Sequence, residues 1–157
     1  MTKPKPRIYV DTSVIGGCHN AKVGDDSNRL IHAIEQGKIT MLLSDLVLLE
    51  ITNAPEPVQA VLLKIPETSI EYIPLTEEIL ELQNAYINAG IVNAKSLNDA
   101  GHVAAATIAR ADAIVSWNFT HIVRLGKIRG YNQVNFANGY GQLTIISPQG
   151  VHTDENN

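Results

Sequence analysis

The chain has 157 residues, 45% of them apolar and only 18% charged, which suits one domain with its own core and is short for two. That balance excludes a disordered chain, and no apolar run approaches the ~20 residues of a membrane span. The net charge of −4 argues against a broad electrostatic nucleic-acid binder, and the single Cys18 rules out an internal disulfide framework.

Read in chain order, the pattern alternates strand and helix. The N-terminus (MTKPKPRIYV) has no separate apolar segment, so no secretory leader is expected and the predicted compartment is the cytoplasm. Ile8–Val14 reads as a buried strand ended by Gly16-Gly17. Asp26–Gln36 reads as a helix stopped by Gly37. Thr40–Ser44 is the next strand and Asp45–Asn53 the next helix. Val58–Lys64, after Pro55 and Pro57, is a short helix, and Ile70–Pro74 a short edge-type strand. Thr76–Ala89 is an acid-led helix with a threonine N-cap, ended by Gly90. Its apolar residues are numerous enough to suggest a dimer or partner face as an alternative to core. Ser96–Arg110 is an alanine-rich helix able to pack closely, followed by a strand at Ala113–Trp117. Phe119–Leu125 is predicted as a short helix, Gly126–Gly141 as a Gly- and Asn-rich loop, and Leu143–Ser147 as a last strand. One domain over residues 1–150 is expected, with a frayed polar tail at 151–157. The alternation predicts a three-layer α/β/α sandwich around a central parallel sheet.

Three acids fall where such a fold could bring them together, because strand ends and helix starts share the ligand-binding edge of a parallel sheet. Asp11 closes the first strand (IYVDTSVIGG). There it could cap the next turn, but an acid directly after Ile-Tyr-Val would be partly buried and would need partners. Glu50 sits inside the apolar arc of its helix, between Leu46 and Val47, instead of on a polar face. Asp99 opens the alanine-rich helix, where Ser96-x-x-Asp99 also matches a capping box. Three converging carboxylates would make a hard, oxygen-lined site for Mg²⁺ or Mn²⁺.

The segments carrying these acids, IYVDTSVIGG, SDLVLLEI and SLNDAGHVAAATIARADAIVSWNFTHI, resemble the PIN-domain nucleases, which include the VapC-type toxins of bacterial toxin–antitoxin pairs. The resemblance runs roughly from Arg7 to Ser147. It implies a Mg²⁺- or Mn²⁺-dependent ribonuclease acting on single-stranded RNA, with a cognate antitoxin as a partner. Position by position, it implies Asp11, Glu50 and Asp99 as metal ligands. The fourth position, often Asp in that family, is Asn118 here, within a Trp-Asn-Phe turn. That loses one negative charge, yet Asn118 could still ligate through its carbonyl or hold the attacking water. Asp112 lies at the wrong end of its strand to replace it.

Other residues have weaker claims. Thr12 and Ser13 could orient the first carboxylate or contact phosphate. Arg124, Lys127 and Arg129 form the one notable basic cluster, suited to an RNA backbone beside the metals or simply to solvated loop charge. His102 could touch the site or substrate, with packing against the sheet favoured, and His121 could approach phosphate. Trp117 and Phe119 could stack a base, with Trp117 better placed in the core. No His or Cys pairing has zinc-site spacing. Two further readings compete: a PIN-like binding or regulatory module whose site has decayed, and a small-molecule phosphatase. The latter is disfavoured because Ser13 stands where a nucleophilic-Asp phosphatase has its second acid.

Overall fold

The computed structural model describes residues 4–152. Five strands, β1 (Arg7–Val10), β2 (Thr40–Ser44), β3 (Ile70–Ile73), β4 (Ala113–Val115) and β5 (Ile145–Ile146), form one sheet in the order β3-β2-β1-β4-β5. All four pairings are parallel, with Tyr9 opposite Leu42 on one side and Ile114 on the other. Seven α-helices among the described residues cover the sheet, giving the three-layer α/β/α architecture expected from the alternation. They are α1 (Thr12–Gly17), α2 (Gly24–Glu35), α3 (Asp45–Thr52), α4 (Glu56–Leu63), α5 (Glu77–Asn88), α6 (Leu97–Ile108) and α7 (Leu125–Ala137).

Strand order diverges at β1: the chain proceeds outward to β2 and β3, then returns to place β4 and β5 on the other flank. The carboxyl ends of β1 and β4 therefore border the switch-point crevice where α/β folds bind ligands. Tyr9, Val10, Met41, Leu42, Ile114 and Val115 are completely buried, as expected of strands covered on both faces. Above them lies the alanine face of α6 (Ala100, Ala104, Ala105, Ala106), with Gly101 so close to α3 and α5 that a Cβ there would meet Leu46 and Gln83 at 2.8 Å. These small side chains bring the α6 backbone, and with it Asp99 and His102, near the sheet.

Several local expectations are corrected. β1 stops at Val10 and residues 12–17 turn into α1, where a strand was predicted as far as Val14. The helical turn carries both Val14 and Ile15 into the core. Residues 126–141 were read as loop from their Gly and Asn content, yet most of them belong to α7. Here tertiary packing overrides propensity. Tyr131 is completely buried and edge-on to Tyr86, and the buried Asn135 amide bonds Thr107 at 3.2 Å and accepts from Tyr86. The predicted helix at Phe119–Leu125 is instead a set of turns, in which the Ile122 and Val123 amides both reach the Asn118 carbonyl. The Ser96–Asp99 capping box does not form, since the Ser96 amide bonds Asn93 O at 2.9 Å and Asp99 faces elsewhere.

Thr76 caps α5 as expected, its hydroxyl accepting from the Ile79 amide, and Gly37 and Gly90 end their helices at positive φ. The α5 apolar face is largely core: Ile79, Leu82 and Tyr86 are buried and only Leu80 stands well exposed. Of the predicted tail, the residues from Thr153 onward lie outside the described residues. No helix among the described residues is long and apolar enough to cross a membrane.

Candidate metal centre

Asp11 follows β1 directly and is 6% exposed. One of its oxygens, Oδ2, accepts hydrogen bonds from the hydroxyls of Ser13 (2.9 Å) and Ser116 (2.6 Å). Ser13 belongs to the first turn of α1, and Ser116 follows β4, so the carboxylate is clamped between the two central strand ends. The clamp is itself braced: the Trp117 amide donates to Ser13 and the Asn118 amide to Ser116, each at 3.0 Å. The other oxygen, Oδ1, accepts no hydrogen bond among the described residues and lies 3.6 Å from His102 Nε2.

Glu50 reaches the same crevice from α3. That helix is started by Ser44, whose hydroxyl accepts from the Val47 amide. Val47 and Ile51 are buried, so the intervening Glu50 is carried along the packed face as its sequence position implied. Glu50 Oε1 accepts from Thr12 Oγ1 at 3.0 Å and lies 2.5 Å from His102 Nε2. The hydrogen bonds and charge of its neighbours outweigh burial, which alone would raise the carboxyl, and hold it below its ordinary range.

His102 is the residue the sequence reading undervalued. It is 1% exposed, yet it is an intimate part of the acid cluster, inserted between Asp11 and Glu50. Its far nitrogen, Nδ1, meets the Tyr9 hydroxyl at 2.7 Å, and Tyr9 in turn meets Ser44 Oγ at 2.6 Å. Burial by itself would lower the imidazole, but the Glu50 bond and the charges of Asp11, Glu50 and Asp99 outweigh it and the net direction is upward. One oxygen each from Asp11 and Glu50 and one ring nitrogen of His102 lie within 4.8 Å of one another, a donor set able to hold a metal ion. The sequence signal was present: His102 is three residues after Asp99, on the same face of α6. Ser116, Tyr9 and Ser44 carried no such signal, because isolated Ser and Tyr residues beside strands are common.

Asp99 and Asn118 stand together beside this cluster. Asn118 Nδ2 donates to Asp99 Oδ1 at 3.0 Å, while its carbonyl accepts from the His121 amide at 2.9 Å. His121 Nδ1 lies 3.3 Å from Asp99 Oδ2. Burial pushes the Asp99 carboxyl up, Asp11 and Glu50 add to that, and His121 opposes it. The four predicted centre residues thus converge in two linked groups, Asp11 with Glu50 and Asp99 with Asn118.

The predicted contact residues divide. Ser13 orients Asp11 as expected, whereas Thr12 bonds Glu50 instead of the first carboxylate. Arg124 and Arg129 are exposed on the turn before α7 and on α7 itself, but Lys127 donates to the Ile91 carbonyl at 2.7 Å. Arg129 also borders a groove of about 490 Å³ with Ile128, Phe136 and Gln142, away from the acids. Trp117 anchors inward through Ser27 (2.8 Å), whereas Phe119 is 52% exposed. Asp112 bonds the Arg7 amide at the opposite end of the sheet.

No protein-family model matches the chain, and no curated protein does. Among solved structures, its fold is similar to that of a chain in the crystal structure of VapBC2 from Rickettsia felis bound to a DNA fragment from their promoter, with TM-score 0.54 and 16% identity. The match covers 90% of this chain and 98% of that one. The likeness is one of fold.

Proposed function

We propose that the protein is a PIN-type, Mg²⁺- or Mn²⁺-dependent endoribonuclease that hydrolyses single-stranded RNA, and that it acts as a toxin held in check by a protein antitoxin. The observation that carries this reading is the meeting of Asp11, Glu50 and His102 donor atoms within 4.8 Å at the switch point of the sheet. The fold likeness to a VapBC2 chain supports both the nuclease and the antitoxin parts of the proposal.

The donor set fits a divalent ion. Asp11 keeps one oxygen clamped by two serines and leaves Oδ1 turned toward Glu50 and His102. Asp11 and Glu50 would hold the ion, with Asp99 beside them on Asn118 and His121. The chemistry a divalent ion supplies in such a site is a water ionised near neutral pH and neutralisation of phosphate charge. Around it, the chain's own groups have definite tasks. Ser13, Ser116 and Thr12 fix the carboxylates in the orientation seen, and Asn118 fixes Asp99 through its amide nitrogen. Arg124 and Arg129 are free to face an RNA backbone, and Phe119 to stack a base.

The test is cleavage of a mixed single-stranded RNA pool in Mn²⁺, in EDTA and by Asp11→Asn. Cleavage lost under both perturbations supports the proposal. A folded protein inert toward RNA in Mn²⁺ overturns it in favour of a decayed binding module. Hydrolysis of a small phosphate ester, but not of RNA, selects a phosphatase.

A further inference from the structure

We propose that His102 is a direct ligand of the divalent ion through Nε2, making this a centre of carboxylates and one imidazole that selects Mn²⁺ over Mg²⁺. The inference rests on the metal-site reading above and concerns the identity of the ion. An all-oxygen site suits Mg²⁺ and Mn²⁺ alike, whereas an imidazole donor favours transition ions.

Three observations carry it. First, Nε2 is the ring atom that faces the acids, 2.5 Å from Glu50 Oε1 and 3.6 Å from Asp11 Oδ1. An ion accepting Asp11 and Glu50 oxygens in this crevice has that nitrogen as its neighbour. Second, the ring is fixed from behind. It is almost wholly buried, edge-on to the Tyr9 ring at 5.7 Å, with Nδ1 on the Tyr9 hydroxyl. Metal-bound histidines characteristically donate their other ring N–H to an oxygen in this way. Third, the backing group can serve either tautomer. The Tyr9 hydroxyl, able both to donate and to accept, meets Nδ1 on one side and Ser44 Oγ at 2.6 Å on the other.

In one arrangement Ser44 donates to Tyr9, Tyr9 donates to Nδ1, and Nε2–H donates to Glu50. In the other, Nδ1–H donates to Tyr9, Tyr9 donates to Ser44, and Nε2 presents its lone pair. The imidazole is neutral in both, so passage between them moves one proton from Nε2 to Nδ1 and changes no charge. Ser44 is also the residue that starts α3, so the same hydroxyl sets the position of Glu50 and terminates the relay behind His102.

The experiment is calorimetric titration of Mn²⁺ and of Mg²⁺ into wild type, His102→Gln and Tyr9→Phe, with thermal melts to establish folding. Gln replaces the ring nitrogen by an amide whose oxygen is a hard donor. Wild type is expected to prefer Mn²⁺, and His102→Gln to lose about 10–100-fold in Mn²⁺ affinity with little change for Mg²⁺. Tyr9→Phe, which keeps the nitrogen and removes its support, should weaken Mn²⁺ by about tenfold. A purely structural histidine would shift both ions together through Glu50, leaving their ratio constant. That result, with metals still binding, overturns the inference and spares the metal-site reading. If no ion binds wild type at millimolar concentration, the metal-site reading falls with it. Should His102→Gln fail to fold, ¹⁵N spectra of the wild-type imidazole decide. On adding diamagnetic Zn²⁺, His102 Nε2 must change from an N–H to a metal-bound nitrogen, and retention of the N–H overturns the assignment.

Discussion

At the amino end of the sheet, acids meet cations and backbone donors. Arg7 holds Glu71 through two bonds of 3.0 and 2.6 Å, and the Arg7 amide donates to Asp112 at 2.7 Å. The same guanidinium reaches the carbonyls of Ala109 and Arg110, tying the end of α6 to β1. At the carboxyl end, Asp11, Glu50 and Asp99 gather around one another, and their ion partners among the described residues are histidines. Both ends satisfy hydrogen bonds. Only one of them balances charge. Burial and the neighbouring acids push the Asp99 carboxyl up, so the carboxyl edge is the one whose arrangement stability alone does not explain.

The contrast can be broken by substitution. The largest effect is expected from Asp11→Asn, which removes the carboxylate between the central strands while preserving acceptors for both serines. Mn²⁺ affinity and RNA cleavage should fall by more than the ~10–100-fold that the loss of a ligand's supporting group costs. Calorimetry and the RNA assay check this together.

Asp99→Asn should do something the amino edge cannot. Burial and the neighbouring acids raise the Asp99 carboxyl, so its ionisation costs stability above the ordinary carboxylate range, and the cost persists at neutral pH. In the presence of chelator the variant is therefore expected to melt higher than wild type at pH 7. A lower melting temperature at pH 7 would show that the acids are not in opposition.

At the other edge the sign reverses. Asp112→Ala strips the acceptor from the Arg7 amide and should cost about 0.5–1.5 kcal/mol by denaturant unfolding, leaving metal binding as it was. The smallest effect belongs to Glu71→Gln. The Arg7 bond holds the Glu71 carboxyl below its ordinary value, so its contribution is present above about pH 4.3 and fades as the pH falls. Because both side chains are part-exposed, the loss at pH 7 should be about 0.2–1 kcal/mol, and it should shrink in high salt. A metal-binding defect from either amino-edge variant would erase the distinction between the two ends.

How far the site was legible depended on the kind of signal each residue left. Glu50 was visible because a charge inside the apolar arc of DLVLLEIT is hard to read as an ordinary solvated helix residue. Asp11 was visible because an acid ends a continuous apolar run. Asp99 was visible in position but not in partner: a capping box and a site carboxylate look alike in SLND, and the chosen partner, Asn118, lies across the crevice. His102 was hidden in the alanine-rich stretch, where a histidine reads as packing, and it does pack. What separates packing from ligation is the pair of acids at its ring nitrogen, supplied by β1 and α3.

The sequence by itself determined the alternation of strands and helices, hence the parallel sheet, because hydrophobic periodicity and turn residues are local properties. It also determined which acids were anomalous within their elements. Only the tertiary structure decided where β1 ends and α1 begins, and that the Gly- and Asn-rich stretch after residue 124 forms α7, because burial of Val14, Ile15, Tyr131 and Asn135 outweighs local preference. It alone decided that Ser116 joins Ser13 on Asp11, and that His102 stands between Asp11 and Glu50 with Tyr9 and Ser44 behind it. Hydrogen bonds between residues as distant as Tyr9 and His102, or Asp11 and Ser116, leave no periodicity for a one-dimensional reading to detect.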